Sequence, residues 1–119
     1  MSKTILIIDD DRALVKIVDS CLTTEGFKTQ IAYDGDEGLA KLKESKPDLI
    51  ILDIHMPRMN GYNFILEAKK TIDIKTIPII ILTAKEGMDE LFKVEGIKEY
   101  CVKPFQPEWL MEKIHKHIK

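Results

Sequence analysis

Acidic, hydroxyl and ammonium side chains recur at one kind of place in this chain, the end of a short apolar run. ILII leads into Asp9 and Asp10, LIIL into Asp53, IIIL into Thr83 and YCV into Lys103. Brought together, Asp9, Asp10, Asp11 and Asp53 would crowd their carboxylates, and two unit charges about 4 Å apart repel by roughly 4 kcal/mol at an effective dielectric near 20. Such a cluster demands a cation. Oxygen donors with room left for water favour Mg²⁺, which usually takes one or two protein carboxylates and keeps positions open for phosphate oxygens. A carboxylate can itself attack phosphorus to form an acyl phosphate. Asp53 is the natural nucleophile for that step, with Lys103 and Thr83 supplying an ammonium and a hydroxyl to neutralise and orient the product.

Each residue also has an ordinary reading. Asp9, Asp10 and Asp11 form a run of the kind that caps a helix, since Asp is favoured at that position and in the first turn. Asp11 is expected to do only that. A threonine after a strand commonly makes a local turn bond, and a lysine before a proline commonly sits in solvent. The capping reading leaves unexplained why a second acid, Asp53, ends another apolar run.

The elements that must position these groups are legible from period. Residues 4 to 8, 48 to 52 and 78 to 82 are β-branched runs apolar at nearly every position, as expected of strands buried on both faces. Residues 28 to 33 and 99 to 102 are more mixed and suit strands nearer a sheet edge. Between them, apolar residues recur at helical spacing: Leu14, Val18, Cys21 and Leu22; then Gly61, Phe64, Ile65, Ala68 and Ile72; then Leu110, Ile114 and Ile118. Weaker helical segments run from Asp34 to Ser45 and from Lys85 to Val94. Gly26, Pro47 and Gly96 follow the first, second and fourth helices, where helices commonly stop. Five strands alternating with five helices through right-handed crossovers make a three-layer α/β sandwich, and in a parallel sheet all strands point their carboxyl ends at one crevice.

Bulk properties exclude several classes. A chain of 119 residues with 45% apolar content fits one compact domain, residues 1 to 119. With a net charge of −2 and lysines scattered among acids, no basic stripe marks a nucleic-acid surface. No apolar run approaches the roughly 18 residues of a membrane span, and no cleavable leader opens the chain, so a cytoplasmic location is expected. Cys21 and Cys101 lack metal-ligand spacing and read as structural thiols. His115 and His117, two apart on a helix, are not spaced as a zinc-binding pair and are expected in solvent. Trp109, Leu110 and Met111 read as core stripe. The glycines make no phosphate-cradling loop with a lysine, so nucleotide binding is not expected.

ILIIDDD, LDIHMPRMNG, ILTAKE and YCVKPF together resemble the receiver domain of two-component response regulators, the group that includes the chemotaxis receiver. The resemblance spans essentially the whole chain. It implies the flavodoxin-like strand order 2-1-3-4-5, with Asp53 as phosphoacceptor, Asp10 as a direct Mg²⁺ ligand and Asp9 acting mainly through water. The backbone carbonyl of His55 would complete the protein's metal ligands. Thr83 and the backbone amide of Ala84 would bind phosphoryl oxygens, and Lys103 would pair with one of them. Thr83 and Tyr100 match the hydroxyl and aromatic residues that change position together when such domains switch. A cis bond between Lys103 and Pro104 is implied as well.

The resemblance further implies a histidine kinase or histidine phosphotransfer protein as donor, and a downstream protein engaged through the face from the fourth helix to the fifth. The chain itself would be no enzyme beyond its own phosphorylation and slow dephosphorylation. His55 and Lys85 would flank the phosphoryl group, where side chains govern water access. The segment from Thr83 to Lys103 is shorter than is usual in the family, which places a contraction around the fourth helix. With the chain ending after its fifth helix, no DNA-binding or enzymatic output domain is expected within it. Two other classes share features: a receiver-like interaction module that works without phosphate, and a haloacid-dehalogenase-type phosphatase. The latter places its nucleophile after the first strand in a DxDx[T/V] pattern, which is absent. A flavin carrier is disfavoured by the acids that would face its phosphate.

Overall fold

The structure, a computed structural model, describes residues 2 to 54, 56, 59 to 71, 74 to 83, 97 and 99 to 118. Five strands, β1 (Thr4–Ile8), β2 (Lys28–Ala32), β3 (Leu49–Asp53), β4 (Ile79–Thr83) and β5 (Glu99–Val102), form one sheet in the order β2-β1-β3-β4-β5. Every pairing is parallel. Among the described residues there are four α-helices, α1 (Arg12–Thr24), α2 (Gly35–Glu44), α3 (Gly61–Thr71) and α4 (Pro107–His117), and one 3₁₀ turn, Ile74–Thr76. The three-layer sandwich and the 2-1-3-4-5 order are those expected. The helix expected over Lys85 to Val94, and the contraction placed there, lie outside the described residues, as do Gly96 and Ile72.

Alternation along the strands sorts the core into two halves. Leu6, Ile8, Ile50 and Leu52 point to one face and meet Leu42 of α2 and Phe64, Ile65 and Ala68 of α3. Ile5, Ile7, Leu49, Ile51, Ile80 and Leu82 point to the other and meet Val15, Val18 and Leu22 of α1 and Leu110 and Ile114 of α4. The central strands read as unbroken apolar runs because both faces are covered, the normal state of a parallel sheet. Phe64 is the largest fully buried side chain, and it packs where α2 has only Gly38, whose added Cβ would meet Phe64 at 2.9 Å and Ile8 at 2.8 Å.

Two strands sit one residue later than their sequence pattern suggests, at 49–53 and 79–83. Asp48 meets Thr4 of β1 with its side chain as well as its backbone, its Oδ2 accepting from the Thr4 amide at 2.8 Å while its own amide donates to Thr4 O at 2.8 Å. Pro78 has no N–H to donate, though its carbonyl accepts from Ile50 at 3.0 Å. The consequence is that Asp53 and Thr83 are the last members of the sheet and share its rigidity. At the other end of β2, Tyr33 leaves the strand because its amide donates to Glu37 Oε1 at 3.1 Å.

One surface expectation needs correction. Leu110 is buried and Met111 half-buried, but Trp109 is 50% exposed, because it faces away from the stripe that contains Leu110 and Ile114. His115 is exposed yet engaged, its Nε2 lying 3.1 Å from Glu25 Oε1, and His117 approaches Glu99 at 3.8 Å. Cys101 is a buried free thiol whose pKa burial raises above 9.0, with Glu99 adding to the rise and Lys113 opposing it. Cys21 is free and partly exposed between α1 and α4.

Truncating Phe64 to Ala should cost about 3 to 5 kcal/mol, the range for an aromatic removed from a core that cannot collapse. Ile17, 54% exposed on α1, should lose no more than about 0.5 kcal/mol on the same change. Urea unfolding of both variants checks the contrast.

Candidate functional site

The carboxyl edge of the sheet gathers its chemistry from strands that are neighbours in space but distant in sequence. Asp9 follows β1, Asp53 ends β3, Thr83 ends β4, and Lys103 follows β5. Asp9 is fixed by three bonds. Its amide donates to Ala32 O at 3.1 Å, its Oδ1 accepts from the Asp11 amide at 2.9 Å, and its Oδ2 accepts from Lys103 Nζ at 3.0 Å. Lys103 Nζ also donates to Asp53 Oδ1 at 3.3 Å, so one ammonium spans two acids. Asp9 and Asp53 are 1% and 2% exposed, which makes that counter-charge indispensable. The Lys103 amide donates to Thr83 O at 2.6 Å, and the Lys103–Pro104 bond is cis, as the resemblance implied.

Carboxylate oxygens of Asp9, Asp10 and Asp53 lie within 4.8 Å of one another, and Asp10 faces solvent while the other two are buried. An all-oxygen donor set at this spacing, open on one side, fits a hard divalent cation. Asp11 stands apart from it as the N-cap of α1, accepting from the Leu14 amide at 3.1 Å, which is the role expected for it. Burial alone would lower the Lys103 pKa. The hydrogen bond to Asp9 and the charges of Asp53 and Asp9 outweigh it, and hold the ammonium above the usual 10.5.

The structure thus brings Asp9, Asp10, Asp53 and Lys103 together and sets buried Thr83 on the strand between Asp53 and Lys103. Tyr100 is not among them. It is 38% exposed on β5 and lines a groove with Trp109, Lys113 and Lys116 of α4. His55, Ala84 and Lys85 lie outside the described residues.

Three supporting features escaped the sequence reading. Gly61 begins α3 against the backbone of Asp53: a Cβ there would sit 2.8 Å from the Asp53 carbonyl oxygen, and the Gly61 amide donates to Ile54 O at 3.0 Å. Glycine at the first helical position, a poor helix former where Asn60 already caps the Asn63 amide at 2.9 Å, was the available signal. Gly35 plays a similar part at the start of α2, where a Cβ would lie 2.6 Å from Met59 Sδ. Arg12 places its guanidinium 4.0 Å from the centroid of Tyr33. An exposed contact of this kind contributes about 0.5 to 1 kcal/mol.

Comparisons with known proteins agree with this geometry. The family model described as "Response regulator receiver domain" matches residues 5–115. The DNA-binding response regulator MtrA of Mycobacterium tuberculosis is 34% identical over 123 residues, covering 100% of this chain and 52% of MtrA. Protein PilG of Pseudomonas aeruginosa is 32% identical over 116 residues, covering 96% of this chain and 86% of PilG. The chain therefore spans about half the length of MtrA. Among solved structures, chemotaxis protein CheY4 of Vibrio cholerae superposes with a TM-score of 0.92 at 30% identity, covering 99% of this chain and 100% of that one.

Replacing Lys103 with Met should destabilise the metal-free protein by roughly 3 kcal/mol near neutral pH, because it strands two buried carboxylates. Since the folded pKa of Lys103 is raised, its contribution is fully present below 10.5 and is lost as pH climbs through the higher folded value. The gap between wild type and Lys103→Met should therefore stay flat from neutrality to about pH 10 and close above that. Denaturant midpoints across this window check it. Asp10→Asn should act oppositely, stabilising the metal-free protein by roughly 1 kcal/mol by easing like-charge repulsion, while losing the thermal shift on adding Mg²⁺.

Proposed function

This chain belongs to the response regulator receiver family, and from that premise we propose that it accepts a phosphoryl group on Asp53 from a histidine kinase or a histidine phosphotransfer protein. The observation that carries the proposal is the pairing of a buried carboxylate at the end of the central strand with Lys103 at 3.3 Å, beside two further acids within 4.8 Å. A carboxylate so placed has no structural need that a leucine would not meet better. In the transfer, an Asp53 oxygen gives an electron pair to phosphorus. With the other ring nitrogen of the donor imidazole protonated, the bond from phosphorus to nitrogen breaks and leaves its pair on that nitrogen, so neutral imidazole departs.

Lys103 moves from neutralising Asp53 to neutralising a phosphoryl oxygen, while its tie to Asp9 keeps it in register. The Thr83 hydroxyl and the Ala84 amide donate to the others. Asp9, Asp10, Asp53 and the His55 carbonyl would hold Mg²⁺, and the cation would supply a charge that lowers the repulsion between the acids and the incoming oxygens. The chain is an acceptor, and its self-dephosphorylation is slow. It works in the cytoplasm; no helix among the described residues is long and apolar enough to cross a membrane.

Release of the signal is proposed through Thr83 and Tyr100, with the downstream protein on the face that includes β5 and α4. Exposed Tyr100 and Trp109 line a groove there of about 540 Å³, which supports a protein partner. Nucleic acid is not proposed as a direct partner of this segment, whose net charge is −2.

Incubation with a small acyl phosphate and Mg²⁺ should add the mass of one phosphoryl group to the intact wild type and none to Asp53→Asn, and a chelator should abolish the adduct. A folded, Mg²⁺-loaded wild type that acquires no adduct would refute the proposal.

A further inference from the structure

Arg12 occupies a place that helix stability does not explain. It is the first residue of α1, directly after the Asp11 cap, where the helix dipole disfavours a cation. The guanidinium is exposed and rests over the Tyr33 ring, with its centre 4.0 Å from the centroid. Both members of that contact adjoin groups bonded to Asp9. Arg12 follows Asp11, whose amide donates to Asp9 Oδ1, and Tyr33 follows Ala32, whose carbonyl accepts from the Asp9 amide. The cation therefore rests between the two segments that bond Asp9, held by a weak, exposed contact with the ring.

Charge balance says what it is stationed for. Among the described residues, three carboxylates face one lysine ammonium, a difference that a divalent cation would make up. An incoming phosphoryl group carries about −1.5 to −2 at neutral pH and makes the pocket anionic again. Among the described residues, Arg12 is the one cation besides Lys103 that lies within a residue of a group bonded to Asp9. Its planar fork matches two phosphoryl oxygens at once, which a lysine cannot do.

We propose that Arg12 is a donor-positioning residue: it leaves the Tyr33 ring to engage the phosphoryl oxygens of the phosphodonor and raises the pocket's affinity for that anion. This rests on the phosphoacceptor reading above. It concerns the donor's anionic group, so a small acyl phosphate and a phosphohistidine share the contact.

The test measures the initial rate of phosphorylation by a small acyl phosphate, with Mg²⁺, for wild type, Arg12→Gln and Arg12→Lys, each confirmed folded by its melting curve. Arg12→Gln should raise the half-saturating donor concentration about tenfold and flatten its salt dependence, and Arg12→Lys should recover part of the loss. A second readout needs no reaction. In an Asp53→Asn background, inorganic phosphate binding followed by ³¹P line broadening should weaken several-fold on adding Arg12→Gln. An unchanged value in either measurement, or a lowered maximal rate at unchanged half-saturation, overturns the role of Arg12 alone. A wild type that takes no phosphoryl group overturns the phosphoacceptor reading on which it stands.

Discussion

Crowding of like charge at one edge of the sheet is the constraint around which the molecule is organised. Asp9 and Asp53 are almost wholly removed from water, Asp10 stands beside them, and the only described ammonium bonded to the pair is that of Lys103. Buried carboxylates are tolerated when paired and hydrogen-bonded, and Asp9 meets both conditions through the Asp11 amide and Lys103. Among the described residues, three acids share that one ammonium, an oxygen-rich arrangement that suits a divalent cation.

Holding acids this close requires a scaffold that cannot relax, and the parallel sheet supplies it. Asp53 is a ladder residue paired in register with Leu82, with leucine and isoleucine covered on both faces below it. A loop would let the carboxylates drift apart into water. Gly61 tightens the support further by letting the start of α3 lie against the Asp53 carbonyl, a contact no side chain would permit. The apolar strands and the acidic edge are therefore one device, the former preventing the escape that the latter would otherwise take.

Much of this was legible in the chain because it obeys strong, local rules. Period-two burial under two helical layers produces uninterrupted apolar strands, so TILII, LIIL and IIIL announced themselves, and the residues ending them named the site. α2 falls inside the weaker segment from Asp34 to Ser45, and its ends are set by caps that the apolar pattern did not fix, Asp34 and Ser45. What was hidden depends on side-chain direction and on contacts between segments. Trp109 belongs to an apolar triplet, yet helical geometry turns it away from Leu110 and Ile114 and into the open. His115 is exposed as expected, and the fold adds a contact with Glu25 at 3.1 Å that the sequence could not show. Gly61, Gly35 and Arg12 acquire meaning only once α3, Met59 and Tyr33 lie beside them. The cis bond at Pro104 came from resemblance, since most X-Pro bonds are trans.

The same connectivity carries a route from the edge to a surface. Lys103 joins Asp9 and Asp53 through its side chain and Thr83 through its amide, and the four residues before it are β5 itself, with Tyr100 exposed among them. A group that pulls Lys103 and Thr83 toward new acceptors acts on both strands that frame the Tyr100 face. The energies are of the right size. A phosphoryl group can add about one to three charge-assisted hydrogen bonds, each contributing roughly 1.5 to 3 kcal/mol, against about 5.5 kcal/mol needed to invert a 1:99 population. Two bonds reach that figure only at the top of the range, and Lys103 already holds the acids at 3.0 and 3.3 Å, so whatever it gains from a new partner is offset by what it releases. The lysine that makes the unmodified pocket tolerable therefore also sets how much any switch built on this edge can gain.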